Sequence, residues 1–345
     1  MSFQISNKIR LFLFLIILLA FFFHPDKELD LYRYYEIANS AYFNMSFLDY
    51  IKEQFFTEFD FFYGLSFLLI KKIGLPIEII NSFYVTIYYW IICKIILLYI
   101  SLSSIEFERK FYIDYVIILI FFVCQPVLIF SISRQLAAID IFYIGLFYYL
   151  KKQYIKAYLW IFLSMFFHVG MFIFVVVFIL SYIISKWSAF FNSKYYSIYI
   201  LLAVIFVSTI NYSNIINFIS NLNILPIRYQ MTYAQNTIAK TNSLSLDQYM
   251  QIIILYINLV SIRKDRLLSS LGFLILLLLC FFKANMFFLM QRVFMFLPVF
   301  QGMFMINYFY QNLGNKYKSH FYILITFIAF LFSILNVYYY RRVFF

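Results

Sequence analysis

Two adjacent polar residues, Arg134 and Gln135, open a long apolar segment and have side chains that could bind an anion. A guanidinium presents a planar fork of N–H donors, which suits bidentate binding of phosphate or carboxylate. An arginine at the centre of a bilayer costs roughly 2.5–3.5 kcal/mol, so it usually faces a polar cavity or a partner. Two alternatives stay open. Arg134 could extend to the membrane surface, or it could pair with Asp140 on the same predicted helix, although six residues is a poor helical spacing.

His168 stands in the apolar stretch SMFFHVGMF, residues 164–172, and is one of only three histidines. The apolar segment around it covers residues 155–184, which is long for one membrane crossing and short for two. A turn at Gly170, which glycine would permit, would give two short helices and place His168 at a membrane surface. The alternative is one long tilted helix in which His168 is a buried residue with satisfied hydrogen bonds.

Further candidates are charged or aromatic residues beside apolar segments, namely Asp30, Arg33, Tyr34, Arg228 and Arg292. Arg292 lies in FFLMQRVFMFLP, close to the predicted outer end of a late helix, where it either binds a ligand or extends to the surface. The first three belong to DLYRYY, which directly follows the first predicted helix. Taken alone, that stretch favours an aromatic belt with solvated charges.

The sequence lacks the motifs of several other chemistries. Three scattered histidines cannot form an HExxH motif or a compact metal cluster, so we expect no metal site. The phosphate-binding patterns GxxxxGK[ST] and GxGxxG and the nucleophile pattern GxSxG do not occur. We therefore expect no cofactor, and we disfavour ATP-driven transport and serine hydrolysis.

The composition predicts an integral membrane protein. The chain of 345 residues is 65% hydrophobic and only 12% charged, so it has too few polar residues to cover a soluble globule. Apolar segments recur along the whole chain, and a helix needs roughly 20 apolar residues to cross a bilayer. We expect an all-α, polytopic fold of about 10–12 transmembrane helices in a single domain, residues 1–345.

The charge distribution predicts which side of the membrane each segment faces. The net charge of +12 comes from short clusters of Lys and Arg between apolar segments, which indicates cytoplasmic loops and not a nucleic-acid site. Residues 24–60 hold eight of the fifteen acidic residues and are predicted to form the first outer loop. A second outer loop is expected at residues 211–248. This arrangement places the candidate site residues on the outer face.

The stretch SISRQLAAIDIFYIGLFYYLKKQYIKAYLWIFLSMFFHVGMFIF, residues 131–174, resembles the EpsG family of Wzy-like polysaccharide polymerases. That family has an Arg-Gln pair at the start of a helix, a basic inner loop, and a Phe-His pair about 33 positions later. Here these elements are Arg134-Gln135, KKQYIK and Phe167-His168. DLYRYY and Arg292 fit the same pattern, whereas Val169-Gly170 departs from the residues that often follow the family's histidine.

The resemblance implies a polymerase with a GT-C-like architecture in the bacterial inner membrane and an active site that faces the periplasm. Its substrates would be oligosaccharide repeat units on undecaprenyl diphosphate, used for O-antigen, capsule or exopolysaccharide. Besides membrane lipid, a chain-length regulator protein is the further partner that the resemblance suggests.

The resemblance also implies roles for the candidate residues. Arg134 and Arg292 would neutralise the diphosphate, and His168 or Asp30 would take the proton of the acceptor hydroxyl. Gln135, Arg33, Tyr34 and Arg228 would contribute to substrate binding.

Three other functions remain as alternatives. A different membrane glycosyltransferase would move one sugar from a polyprenyl-phosphate donor and would also use an acidic residue of the first outer loop. A flippase for lipid-linked glycans is disfavoured because seven glycines and five prolines are few for a transporter with many broken helices. A membrane O-acyltransferase could also use an arginine and a histidine.

Overall fold

The structure is a computed structural model that describes residues 7–23, 25, 30–40, 45–54, 61–102, 129, 133–168, 170–209, 252–253, 255–257, 259–260, 266–285, 293–300, 302–303, 327 and 331. These residues include eleven continuous α-helices and one 3₁₀ turn, with no strand among them. The prediction of an all-α fold is confirmed for this part of the chain.

The helices follow one another with short connections. Their bounds are α1 Asn7–Phe21, α2 Asp30–Ser40, α3 Phe47–Gln54, α4 Phe61–Ile73, α5 Glu78–Leu102, α6 Ser133–Leu150, α7 Tyr154–Leu163, the 3₁₀ turn Ser164–Phe166, α8 Met171–Ser185, α9 Ser188–Asn192, α10 Tyr196–Thr209 and α11 Arg266–Asn285. The predicted first outer loop thus contains two helices, α2 and α3. The second predicted loop, residues 211–248, lies outside the described residues.

Among the described helices, α5 alone is long and apolar enough to cross a bilayer. Five further helices, α1, α7, α8, α10 and α11, contain apolar segments that are shorter than this threshold. The number of about 10–12 crossings therefore stays a prediction.

Contacts divide the chain into two compact units. The first combines Met1–Val176 with Pro298–Phe345, and the second is Val177–Leu297. Helices α1 to α7 belong to the first unit, and α9 to α11 belong to the second. The prediction of a single domain stays a prediction.

In the first unit, α1 packs against the beginning of α5. Asn81 is fully buried there and donates from Nδ2 to the carbonyl oxygen of Ala20 at 3.1 Å. Ser82 Oγ lies 3.4 Å from the carbonyl oxygen of Ile17. Hydrogen bonds between helices satisfy polar side chains where water is absent, so they fix the start of α5 beside the end of α1.

Helices α6 and α7 form a closely packed hairpin. Gly145 lies against α7, because a Cβ atom at this position would be 2.6 Å from Ile161 Cγ1 and 2.9 Å from the carbonyl oxygen of Ala157. Ala157 is fully buried, so small residues on both helices let the backbones approach. The contact fixes the register of the hairpin.

The turn between α6 and α7 contains a residue in the left-handed region. Lys152 has φ of 61°, and Gln153 N donates to the carbonyl oxygen of Tyr148 at 3.0 Å. The same motif ends α4, where Gly74 has φ of 78°. A residue with a side chain is less stable in this conformation than glycine by roughly 1–2 kcal/mol.

In the second unit, buried serines join α11 to its neighbours. Ser270 Oγ donates to the carbonyl oxygen of Ser181 on α8 at 2.7 Å. Ser269 Oγ and the Tyr196 hydroxyl on α10 are 2.6 Å apart. These bonds hold the apolar faces of the three helices in one register.

The left-handed turn generates a stability prediction. Lys152→Gly should stabilise the protein by about 1 kcal/mol, because glycine adopts the left-handed conformation without the clash of a Cβ atom. Lys151→Gly is the matched control, since its neighbour does not have a positive φ; it should destabilise by about 0.5–1 kcal/mol. Thermal unfolding in detergent measures both, and equal losses would contradict the assignment.

Candidate functional site

Arg134 is the second residue of α6 and contacts α2 through Tyr34. Its Nη1 donates to the Tyr34 hydroxyl at 2.9 Å, and the guanidinium carbon lies 5.5 Å from the centroid of the same ring. Both residues are half-buried. This contact connects two predicted site motifs that are 100 residues apart in the sequence.

Two aromatic residues of α4 hold Tyr34 in place. The Tyr34 ring meets Tyr63 edge-on, with centroids 4.9 Å apart, and stacks on Phe67 at 5.9 Å. Tyr63 and Phe67 are fully buried, and they are four residues apart, so they lie on one face of α4. The tyrosine that contacts Arg134 is therefore packed against a rigid part of the first unit.

His168 lies at a break between two helices. The chain leaves α7, makes the 3₁₀ turn Ser164–Phe166 and begins α8 at Met171. The carbonyl oxygen of His168 accepts a hydrogen bond from Met171 N at 3.0 Å, which closes the turn. The prediction of two short helices is thus confirmed, and the single tilted helix was wrong.

Gly170 has a packing role at this break. A Cβ atom on residue 170 would be 2.9 Å from His168 Nε2 and 3.2 Å from Cδ2, so the imidazole occupies the space beside the glycine. Gly170 does not have a positive φ. The expectation that glycine matters here for backbone freedom is therefore replaced by close approach of the ring. His168 is only 4% exposed.

The hairpin brings His168 to the level of Arg134. Arg134 precedes Lys152 at the turn by 18 residues (152 − 134), and His168 follows it by 16 (168 − 152). At a rise of 1.5 Å per residue, a difference of two residues is about 3 Å along the helix axis. The 3₁₀ turn before His168 contacts α6, as this register requires.

Helix α4 connects the histidine turn to Tyr34. Phe62, near the start of α4, stacks on Phe167 with centroids 5.4 Å apart and planes 20° from parallel. The next residue, Tyr63, contacts Tyr34. One end of α4 therefore contacts both of the segments that carry His168 and Tyr34.

The other predicted site residues differ in how far the structure places them. Gln135 follows Arg134 on α6 and is buried, and Arg33 is exposed on α2. Asp30 is the first residue of α2, but its side chain lies outside the described part, as do Arg228 and Arg292 entirely.

The alternative of an ion pair between Arg134 and Asp140 is not observed. Asp140 is 1% exposed, and neither of its carboxylate oxygens has a hydrogen-bond partner within the described residues. Arg134 instead bonds to Tyr34. Contact with α2 and partial burial also separate Arg134 from an arginine that simply extends to the membrane surface.

Sequence reasoning missed Phe62, Tyr63 and Phe67, the residues of α4 that support the site. The available signal was the spacing of Tyr63 and Phe67, which places two rings on one helical face. In a chain with 48 phenylalanines and 33 tyrosines, that spacing is too common to single out a site.

The arrangement has two chemical capabilities. A guanidinium held by a tyrosine hydroxyl can bind an anionic group with reduced loss of side-chain entropy. An imidazole at the same level can exchange a proton near neutral pH. Among the described residues, no group of three or more His, Cys, Asp or Glu side chains is placed to hold a metal ion.

A comparison with protein families gives one match, to the model described as the EpsG family, which covers residues 9–344. This match agrees with the resemblance inferred from residues 131–174. No curated protein and no solved structure matches the chain.

The contact between His168 and Gly170 can be tested by a double-mutant cycle. Gly170→Ala should destabilise the protein by about 1–3 kcal/mol, because the new methyl group displaces the imidazole. In a His168→Ala background the same substitution should cost little, since the ring is absent. Chemical denaturation in mixed micelles measures both steps, and equal costs in the two backgrounds would refute the contact.

Proposed function

The chain belongs to the EpsG family of Wzy-like polysaccharide polymerases, and we propose that it joins oligosaccharide repeat units carried on undecaprenyl diphosphate. The family assignment supports a membrane protein with a role in polysaccharide synthesis. We further propose that about 10–12 helices cross the bacterial inner membrane, with the active site on the outer face, for O-antigen, capsule or exopolysaccharide.

The observation that carries the proposal is the hydrogen bond between Arg134 and Tyr34. It joins the Arg-Gln motif to DLYRYY, and the hairpin brings the His168 turn to the same level. Both motifs and the histidine were the parts of the sequence that resemble the family. A polymerase that releases a diphosphate needs a cation and a proton acceptor close together, and this end of the first unit supplies both.

The proposed reaction is one glycosyl transfer per cycle. The oxygen of an acceptor hydroxyl bonds to the anomeric carbon of the donor sugar, while the bond from that carbon to the diphosphate oxygen breaks. The hydroxyl proton passes to a base, and undecaprenyl diphosphate leaves with the electron pair. Since negative charge develops on the leaving oxygen, fixed cationic donors lower the barrier.

Arg134 is proposed to bind the diphosphate, with Tyr34 holding the guanidinium in position and Gln135 beside it. His168 or Asp30 is proposed as the base. Arg292, Arg228 and Arg33 are proposed as further contacts to the anionic part of the substrate.

Arg134→Lys tests the role of the guanidinium fork. Lysine keeps the charge but loses the bidentate geometry, so the rate of chain growth should fall by about 100-fold. The assay mixes purified protein with lipid-linked repeat units and follows the ladder of products without ATP or a nucleotide sugar. Arg266→Lys is the matched control, because Arg266 also begins a helix and is exposed.

The products distinguish the proposal from its alternatives. A normal rate in Arg134→Lys, with Arg266→Lys also normal, would contradict the role of Arg134. Addition of one sugar to a chain of unchanged length would indicate a glycosyltransferase of another kind. Lipid-linked units that accumulate on the cytoplasmic leaflet of mutant cells would indicate a flippase.

A further inference from the structure

A cavity of about 700 Å³ lies beside α2 in the first unit. Its polar lining consists of Tyr32, Tyr35, Glu36 and Asn39 on α2 and Glu78 at the start of α5. The volume is within the range of about 300–1,000 Å³ that is typical of ligand sites. Unlike the surroundings of Arg134, this cavity is lined by two carboxylates.

The four lining residues of α2 share one helical face, because their spacing is three, four and seven residues. The adjacent face of the helix contains Leu31 and Ala38, both fully buried, and Tyr34. Tyr34 is the residue that contacts Arg134. One helix thus separates the cavity from the arginine, and a helix with its side chains is about 10 Å wide.

The phenols and carboxylates of the cavity interact in pairs. The pKa of Tyr32 is raised, above all by its hydrogen bond with Glu36. Burial raises the pKa of Tyr35, and the nearby charge of Glu78 adds to this effect. Both phenols therefore keep their protons at neutral pH and can donate hydrogen bonds.

Asn39 is also oriented. Its Oδ1 accepts a hydrogen bond from Lys71 Nζ at 2.9 Å, so its NH₂ group is turned away from that lysine. The Tyr35 hydroxyl is buried without a hydrogen-bond partner among the described residues. A buried hydroxyl in this state is costly, and a polar ligand would satisfy it.

We propose that this cavity binds uncharged, hydroxyl-rich sugar residues of the glycan substrate. Glu36 and Glu78 accept hydrogen bonds from sugar hydroxyls, Asn39 and the phenols donate, and the tyrosine rings cover the apolar faces of the sugar. The identity of the glycan rests on the proposed function, whereas the binding site rests on the cavity.

Other ligand classes fit this lining less well. Two carboxylates repel a phosphate or a carboxylated sugar. A lipid tail would leave the carboxylates and the amide without partners. A diphosphate near Arg134 and sugars beside Glu36 would instead place each part of one substrate against groups of suitable charge.

The test uses purified full-length protein in detergent and two probes. One probe is the oligosaccharide released by mild acid from the lipid-linked repeat units of the bacterium that makes the protein; the other is undecaprenyl diphosphate without sugar. Calorimetry should show that Glu36→Gln weakens binding of the oligosaccharide at least 10-fold and leaves the lipid diphosphate unchanged. Arg134→Lys should have the opposite pattern.

Asp49→Asn is the matched control, because Asp49 is an exposed acid of α3 outside the cavity. Tyr32→Phe is a second variant that keeps the ring but removes the bond to Glu36, and it should weaken oligosaccharide binding about 3- to 10-fold. No binding to the wild type at millimolar concentration, or unchanged or stronger binding in Glu36→Gln, would overturn the inference.

The two proposals can fail separately. Wild-type protein that binds the oligosaccharide through Glu36 but forms no ladder would retain the cavity assignment and refute polymerisation. A normal ladder together with oligosaccharide binding that Glu36→Gln does not change would do the reverse.

Discussion

The packing of α6 against α7 at Gly145 is the constraint on which the arrangement of the site depends. With no Cβ atom at position 145, Ile161 and the backbone at Ala157 approach closely enough to fix the hairpin register. That register determines which residue after α7 returns to the beginning of α6. Because the return falls at the 3₁₀ turn, His168 reaches the level of Arg134 instead of the middle of a helix.

Helix α4 then links this hairpin to α2 through aromatic contacts. Phe62 stacks on Phe167, while Tyr63 and Phe67 hold the ring of Tyr34. Aromatic packing of this kind is directional, since ring quadrupoles favour edge-on and offset arrangements. The polar groups Arg134 and His168 are thus positioned by apolar neighbours, which suits a protein in which polar supports would be costly to bury.

The sequence predicted the helical class and the break at His168, because both follow from local properties: apolar length, and a segment of residues 155–184 too long for one crossing. It could not predict the bond between Arg134 and Tyr34, since a separation of 100 residues leaves no local trace. It also missed the reason for Gly170. Backbone freedom is visible in a sequence, whereas contact with an imidazole depends on a rotamer that only the folded turn defines.

The stretch DLYRYYEIAN shows how one helix can serve two parts of a reaction. From the sequence, its aromatic and charged residues favoured a solvated belt at the membrane surface. Folded as α2, they separate into a face with Tyr34 beside Arg134 and a face with Tyr32, Glu36 and Asn39 beside a cavity. In the proposed reaction the first face lies toward the anionic leaving group and the second toward neutral hydroxyls. Because carboxylates on the second face repel a diphosphate, charge alone would favour one orientation of a glycan that carries a diphosphate at one end.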